Sequence, residues 1–454
     1  MRIHFIAIGG SAMHNLAIAL HKQGHHISGS DDEIFEPSRS RLAAYDLLPQ
    51  KQGWDKKNIT PELDAVILGM HAKADNPELR KAQELDIPLY SFPSYLYAHA
   101  KNKKRIVIGG SHGKTTITTM VLHALHANNI CADYMVGAQL QGFEVMVRLS
   151  EKAEIMILEG DEYLTSAHDP RPKFHVYKPH IALVSGIAWD HFNVFPTFEN
   201  YLQQFKEFIG LVPDNGSIIY YQGDKHIQKL INQYNGHATL IPYSVTPHTT
   251  ENGKTIVQYQ GKKYPVDVFG NHNLKNMQGA MLICKEAGLE GKDFFQAMSS
   301  FKGASNRLEK IGENKDTKIF SDFAHSPSKV KATTEAVKNQ FIDKDLVAVL
   351  ELHTYSSLNK DFLSQYQGAL DATDIPVVFF NEHALQIKRL PALQKKDIYK
   401  AFDNHTIQVF NRREELEHML KAQNWKNKNL LLMSSGNFDG LDKKKLCEHI
   451  LTNK

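Results

Sequence analysis

The run Arg105 to Thr116 constrains this chain more than any other segment. It reads R-I-V-I-G-G-S-H-G-K-T-T, an apolar stretch that breaks into a glycine-rich turn and ends in a lysine and two threonines. This is the pattern of a strand, a phosphate-binding loop and a helix. The backbone N–H groups of Gly110, Ser111, His112 and Gly113 can converge on phosphate oxygens. Lys114 can reach the terminal phosphates, and the Thr115 hydroxyl suits Mg²⁺. Thr116 to His126 has helical apolar spacing, so a helix dipole would add to the same anion site. The spacing is G-x-x-G-K-T from Gly110, and Ile108 stands where the commoner G-x-x-x-x-G-K-[ST] loop has its first glycine. A nucleoside triphosphate is the expected ligand; the alternative is a chance Gly/Lys/Thr turn after a strand.

A chain of 454 residues exceeds one ordinary core, so two to four domains are expected. The hydrophobic share of 42%, the charged share of 23% and the net charge of +3 argue against disorder, a nucleic-acid partner or a membrane surface. Cys131, Cys284 and Cys447 lie far apart and form no C-x-x-C pair, which suits a reducing compartment. The chain opens on the strand-like run Ile3 to Ile8 without secretory features, and no apolar stretch is long enough to span a bilayer. A cytoplasmic location is expected.

The organisation reads as α/β in three domains: a Rossmann-like unit at 1–103, a central P-loop ATPase-type unit at 104–306 and a second Rossmann-like unit at 307–454. Strands are expected at Ile3–Ile8, His26–Gly29, Asp64–Leu68 and Ile87–Tyr90, then at Glu154–Leu158, His180–Ser185 and Ser217–Tyr221. Short strand-like pieces from Ala238 to Val268 suggest a small antiparallel appendage. A helix over Leu274–Ala287 follows. In the last third, strands are expected at Lys318–Asp322, Leu346–Leu350, Ile375–Phe380, Thr406–Phe410 and Asn429–Ser434. The charged stretch Asn306–Asp316 reads as a hinge.

In an open parallel sheet, ligands bind beyond the carboxyl ends of the strands. Three polar clusters fall there in the central unit: the phosphate loop, the acidic run Glu159 to Glu162, and Asp190 with His191. Glu159 and His191 beside a triphosphate are suitable ligands for a divalent cation; alone, they would read as a solvated acid and an ordinary histidine. The cluster G-N-H-N-L-K-N, Gly270 to Asn276, either caps a helix or uses His272, Asn273 and Asn276 to contact a nucleotide. Arg307 and S-D-F-A-H-S-P, with Asp322 and His325, form a domain-edge clamp or an ordinary hinge. The turn A-I-G-G-S-A-M is half a dinucleotide fingerprint. Ala7, Gly9 and Ala12 occupy the glycine positions, and Asp31 stands where a ribose-binding acid belongs. It supports a pyrophosphate-containing ligand.

With these segments assembled, the chain resembles the Mur ligases, ATP-dependent amide-forming enzymes of cell-wall peptide assembly. The resemblance rests on I-G-G-S-A-M, S-G-S-D, A-D-N-P, G-G-S-H-G-K-T-T, E-G-D-E, W-D-H, G-N-H-N-L-K-N, N-R-L-E and D-F-A-H-S-P. The first half is most similar to the two branches acting on UDP-N-acetylmuramate, one adding L-alanine and one reattaching a tripeptide. E-G-D-E-Y, D-P-R-P-K-F, I-F-E-P-S, F-E-V and L-L-M-S-S-G-N-F-D-G are more similar to the peptide branch. Gly160 and the first I-G-G depart from its habits, and so does E-L-H-T-Y, Glu351 to Tyr355, which stands for its usual E-P-R where the amine should dock.

The resemblance implies an acyl phosphate mechanism with ATP and Mg²⁺. Lys114 would hold phosphates, Thr115 one Mg²⁺, and Glu159 with His191 a second. His272, Asn273, Asn276, Arg307, Asp322 and His325 would complete the nucleotide site. Gly9, Gly10, Ser11, Met13, Ser30, Asp31, His71, Asp75, Asn76 and Pro77 would cradle the UDP-sugar. Lys206 falls near the position that some relatives carbamylate and reads as a surface lysine. Two other classes compete: an NAD-dependent oxidoreductase resting on the incomplete N-terminal fingerprint, and a nucleotide switch without catalysis.

Overall fold

The computed structural model describes every residue except 71, 138–142, 144, 167–168, 190–193, 252, 304–306 and 453–454. The fold is mixed α/β, with three largely parallel sheets and two small antiparallel ones. The chain forms two compact units, Met1–Thr246 with Lys275–Met298, and Pro247–Leu274 with Ser299–Lys454. Among the described residues no helix is long and apolar enough to cross a membrane.

The first unit carries two sheets. Strands β1 (Arg2–Ile6), β2 (His26–Ser30), β3 (Ala65–Leu68) and β4 (Leu89–Ser91) pair in parallel in the order β2-β1-β3-β4. The larger sheet contains β5 (Lys104–Gly109), β6 (Ala132–Met135), β7 (Val147–Arg148) and β8 (Ile155–Glu159). A separate hairpin holds β9 (Leu164–Ser166) and β10 (Asp169–Pro172). Strands β11 (Ile181–Val184), β12 (Ser217–Tyr221) and β13 (Thr239–Tyr243) complete the order β13-β12-β11-β5-β8-β6-β7. Ile106, Val107 and Ile108 are fully buried because β5 is central and covered on both faces, which explains its unbroken apolar run. Burying such side chains contributes about 1.5–3 kcal/mol each.

Two features tie the sheets of this unit together. The Asp133 carboxylate on β6 accepts from Lys103 Nζ at 2.6 Å and pairs with His99 Nε2 at 2.9 Å, and the Asn15 carbonyl accepts from Met146 N–H at 3.1 Å. Burial would raise the Asp133 pKa, but these two partners outweigh it and hold the carboxylate below its ordinary value. Arg105 spreads its guanidinium over the carbonyls of Tyr177, Lys178, Ala100, Lys101 and Lys103. The stretch joining the two sheets is therefore pinned from inside.

The second unit contains an antiparallel sheet, β14 (His248–Glu251), β15 (Lys254–Tyr259) and β16 (Lys262–Val266). Its main sheet has β17 (Glu309–Glu313), β18 (Lys318–Asp322), β19 (Asp345–Leu352), β20 (Ile375–Phe380), β21 (Gln408–Phe410) and β22 (Lys428–Met433), in the order β17-β18-β22-β19-β20-β21. All pair in parallel except β17 with β18. One face packs on helix Pro327–Gln340, the other on helices Arg413–Ala422 and Lys443–Thr452.

Two expectations need correction. Thr239–Tyr243 is a parallel edge strand of the large sheet, and only the three later pieces make the antiparallel appendage. The charged stretch expected as a hinge forms edge strand β17. Its exposed face carries Lys310 and Glu313, which pair at 2.6 Å, so its polarity is that of a solvated edge.

Candidate active site

Strand β5 lies between β8 and β11, so three loops meet at its carboxyl end: Gly110–Gly113, the acidic run from Glu159, and Ser185–Gly186. Gly110 and Gly113 have φ of 121° and 86°, which L side chains rarely adopt. A Cβ at Gly113 would stand 2.3 Å from Asn276 Oδ1. The helix Lys114–Ala127 starts directly after Gly113, and Ile117 N–H returns to the Gly113 carbonyl at 2.9 Å. The amides of Lys114, Thr115 and Thr116 therefore open the helix with no intrahelical acceptor.

Ser111 braces the loop. Its N–H donates to the Gly186 carbonyl at 2.9 Å, and its hydroxyl accepts from Ala188 N–H at 2.8 Å and bonds Tyr201 Oη at 2.8 Å. The Ser185 hydroxyl donates to the His112 carbonyl. These bonds fix the loop to β11 and to helix Phe198–Gly210.

The charged centre is compact. Lys114 Nζ donates to the Gly110 carbonyl and to Glu162 Oε2, each at 2.7 Å, while Tyr201 Oη–H donates to Glu162 Oε1 at 3.0 Å. Burial disfavours the charged lysine, but Glu162, Asp161 and Glu159 outweigh it and raise its pKa. The Thr115 hydroxyl donates to Glu159 Oε1 at 2.8 Å, and Gly137 N–H donates to Oε2 at 2.8 Å. Burial nonetheless raises the Glu159 pKa. Asp161 is pulled the other way: burial opposes ionisation, but Lys173, paired at 2.6 Å, and Lys114 lower its pKa.

Thr115 and Glu159 thus supply two oxygen donors at one point, a fit for a hard divalent cation. His191, with Asp190, lies outside the described residues. Among the described residues no group of three or more histidine, cysteine, aspartate or glutamate side chains comes together with metal-binding spacing. Asn276 Oδ1 is buried beside Gly113 without a hydrogen-bond partner among the described residues, so it remains available to a donor from a ligand.

The second unit carries the other expected nucleotide residues. Asn273 is buried and donates to the Phe269 carbonyl at 3.2 Å; His272 is partly exposed. Asp322 accepts from Leu308 N–H and, at 2.6 Å, from Ala324 N–H, and burial pushes its pKa up to about 6. The Arg307 guanidinium lies over the Phe323 ring at 4.6 Å, and His325 Nδ1 bonds the Phe323 carbonyl at 2.8 Å.

At the N-terminal turn, Gly9 N–H donates to Asp31 Oδ2 at 2.7 Å, and burial first, then Asp32, pushes Asp31 up to about 6. Gly10 and Ser11 are exposed at the start of helix Ser11–Lys22. Three side chains expected there have partners within the fold. Met13 packs into the core, the buried Ser30 hydroxyl donates to Glu78, and Asn76 caps helix Pro77–Glu84 through Glu78 and Leu79 N–H. Each is held by the hydrophobic layer or by a bond that the motif could not reveal. Asp75 is exposed and Pro77 opens the helix; His71 lies outside the described residues. Lys206 is exposed.

Sequence reasoning did not anticipate the brace formed by Glu162 and Tyr201. Glu162 stood in the acidic run, but Tyr201 carried no motif signal.

The Mur ligase middle-domain model matches residues 108–284, and the model described as Mur ligase family, catalytic domain, matches residues 2–104. The chain belongs to the Mur ligase family. This Mur ligase is 28% identical over 411 residues to the UDP-N-acetylmuramate–L-alanine ligase of Caldicellulosiruptor bescii, covering 87% of each chain. It is 26% identical over 459 residues to the UDP-N-acetylmuramate–L-alanyl-γ-D-glutamyl-meso-2,6-diaminoheptandioate ligase of Haemophilus influenzae, covering 97% of this chain and 98% of the relative. A solved UDP-N-acetylmuramate–alanine ligase from Thermotoga maritima aligns with a TM-score of 0.70 at 17% identity, covering 99% of this Mur ligase and 98% of that chain. That likeness is one of fold.

Proposed function

We propose that this enzyme joins the carboxylate of UDP-N-acetylmuramate to the amine of L-alanyl-γ-D-glutamyl-meso-diaminopimelate, consuming ATP, in the cytoplasm. The observation that carries the reaction type is the meeting of Lys114, Thr115 and Glu159 at the carboxyl end of β5. Residues 1–103 would hold the sugar nucleotide, 104–306 the ATP, and 307–454 the amine. Gly10 and Ser11, exposed at the N-terminus of helix Ser11–Lys22, suit a pyrophosphate.

A carboxylate attacking a triphosphate brings two anions together. Lys114 answers this with a charge kept on by its acidic surroundings. Thr115 and Glu159, with His191, would hold Mg²⁺, which when bound supplies further screening of that repulsion. The fixed loop orients the γ-phosphate, so that little reorganisation accompanies the transfer. The muramyl carboxylate takes the γ-phosphoryl group as ADP leaves, giving an acyl phosphate. The amine then attacks the acyl carbon, loses a proton, and inorganic phosphate leaves as the amide forms.

Peptide as acceptor is favoured by the segments D-P-R-P-K-F and S-S-G-N-F-D-G, and the match to the Haemophilus influenzae ligase agrees with it. L-alanine is the second reading, favoured by the match to the Caldicellulosiruptor bescii ligase. MgATP-dependent phosphate release with UDP-N-acetylmuramate and either amine decides between them. Turnover with the tripeptide alone is expected, and turnover with L-alanine alone rejects the choice.

A further inference from the structure

Helix Ser11–Lys22 begins at the glycine turn, and two polar side chains near its start are enclosed by the core. His14 is 2% exposed and Asn15 is 0% exposed. Both follow directly on I-G-G-S-A-M and lie outside it. A buried imidazole and a buried amide need partners for their donors and acceptors, so the contacts around them fix where each proton sits.

Asn15 is settled by backbone groups on two sides. Its Oδ1 accepts from Met146 N–H at 3.1 Å, and its Nδ2 donates to the Ser11 carbonyl at 2.8 Å. Neither bond survives a flip of the amide, since an N–H cannot accept and a carbonyl cannot donate. Nδ2 therefore also faces His14 Nε2, at 3.0 Å, as a donor. The imidazole must offer a lone pair there, which puts its proton on Nδ1. That nitrogen stands 3.0 Å from the Gly10 carbonyl, which can only accept, and 3.0 Å from Ser38 Oγ. The ring is neutral and of one tautomer. Burial holds the His14 pKa below its ordinary value; the Gly10 bond opposes this, and the Arg41 charge adds to the lowering.

The result is a hydrogen-bonded chain with a single direction. Met146 N–H donates to Asn15, Asn15 to His14, and His14 to the Gly10 carbonyl. The path continues beyond Met146, whose carbonyl accepts from Val136 N–H at 2.9 Å. The next amide, Gly137 N–H, donates to Glu159 Oε2 at 2.8 Å. The turn assigned to the pyrophosphate and the carboxylate assigned to the cation are thus connected within one compact unit.

We propose that His14 and Asn15 are positioning residues, which hold the Gly10 turn in register with the Glu159 end of the phosphate-loop sheet through a neutral imidazole protonated on Nδ1. The inference rests on the ligase reading above, in which the sugar nucleotide on that turn must meet ATP. An amide suits the middle of the chain because it accepts on one side and donates on the other. A buried ring that kept a proton on both nitrogens would set two donors, its own Nε2–H and Asn15 Nδ2, against each other.

The test reads the relay in two independent ways. Nuclear magnetic resonance of enzyme carrying isotope-labelled histidine reports the protonation of each ring nitrogen, with His14→Gln assigning the signal. Titration calorimetry reports Kd for UDP-N-acetylmuramate and for ATP, with no acceptor amine present. The wild-type ring should be protonated on Nδ1 and bare on Nε2 at neutral pH. Asn15→Leu should weaken UDP-N-acetylmuramate binding about tenfold, the scale of a lost buried hydrogen bond. The Kd for ATP should stay within about twofold. Asn15→Asp keeps an acceptor for Met146 N–H and offers Nε2 a carboxylate. Its His14 should therefore carry both protons at neutral pH, with UDP-N-acetylmuramate bound within about threefold of wild type. A wild-type ring protonated on Nε2 overturns the proposal and leaves the ligase reading standing. So does an unchanged Kd for UDP-N-acetylmuramate in Asn15→Leu, an equal loss of both affinities, or an Asn15→Asp enzyme as weak as Asn15→Leu. A wild type that does not bind UDP-N-acetylmuramate overturns the ligase reading, and this inference with it.

Discussion

Replacing Gly113 with alanine separates loop geometry from general stability. The substitution adds one methyl group at a residue whose φ is 86°, a left-handed conformation that costs an L residue about 1–2 kcal/mol. That strain alone would lower the melting temperature by a few degrees. The new Cβ would also stand 2.3 Å from Asn276 Oδ1 and 2.9 Å from its Cγ, so the loop or the asparagine must shift by about 1 Å to reach ordinary contact. Lys114 and Thr115 follow immediately, and a displacement of about 1 Å in a positioned group lowers rates by about 100-fold. Gly24→Ala is the matched control: its φ is 85° and nothing lies within 4 Å of the added carbon. Gly24→Ala reports the backbone strain alone, and Gly113→Ala should melt somewhat lower because its clash with Asn276 adds to the same strain. Only Gly113→Ala should lose kcat/KM for ATP, by about 100-fold or about 3 kcal/mol of transition-state stabilisation. Differential scanning calorimetry and steady-state phosphate release measure the two quantities. A Gly113→Ala enzyme within threefold of Gly24→Ala would refute the argument that this glycine sets the position of the lysine.

Thr115→Val keeps the shape of the side chain but removes the donor to Glu159 Oε1, and should raise the Mg²⁺ concentration for half-maximal rate by at least about tenfold; an unchanged Mg²⁺ titration counts against the cation site. Arg105→Met leaves five backbone carbonyls without their guanidinium donor, and chemical denaturation should report a loss of about 3–5 kcal/mol. Asp322 should titrate near pH 6 when followed by carboxyl carbon chemical shift, as burial predicts. Because its folded pKa is raised, the folded state holds the proton more tightly than the unfolded chain. The stability this contributes is full below about pH 4 and is lost as pH rises through about 6. A midpoint below 4.5 would contradict the burial argument.

Much of the fold could be read from the sequence wherever a strand was buried on both faces. Ser217–Tyr221, Lys318–Asp322 and Ile375–Phe380 begin and end where their apolar runs predict. Edge strands were harder. Glu309–Glu313 pairs on one side only, so its polar composition looked like a linker. Thr239–Tyr243 resembled the hairpin pieces after it because parallel and antiparallel edge strands share one composition. At the site, backbone-driven features were legible: the two loop glycines, the lysine and the carboxylate at the end of β8. Side-chain bracing was not. Nothing in the spacing of Glu162, Ser111 and Tyr201 announces a hydrogen-bonded chain, since the tyrosine comes from a helix far along the sequence. Likewise Ser30 and Met13 sit in a motif that fits a pyrophosphate, yet one turns to Glu78 and the other to the core.

The buried Asp133 has a mechanical consequence. Through Lys103 and His99 it fastens the end of the N-terminal segment to the sheet that bears the phosphate loop, and Asn15 adds a second fastening at Met146. The glycine turn at residues 9–10 and the loop at 110–113 therefore travel on a common chassis, whose internal spacing was settled at folding. A molecule that touches both meets a preset gauge, and its affinity is spared the entropy of docking two independent lobes.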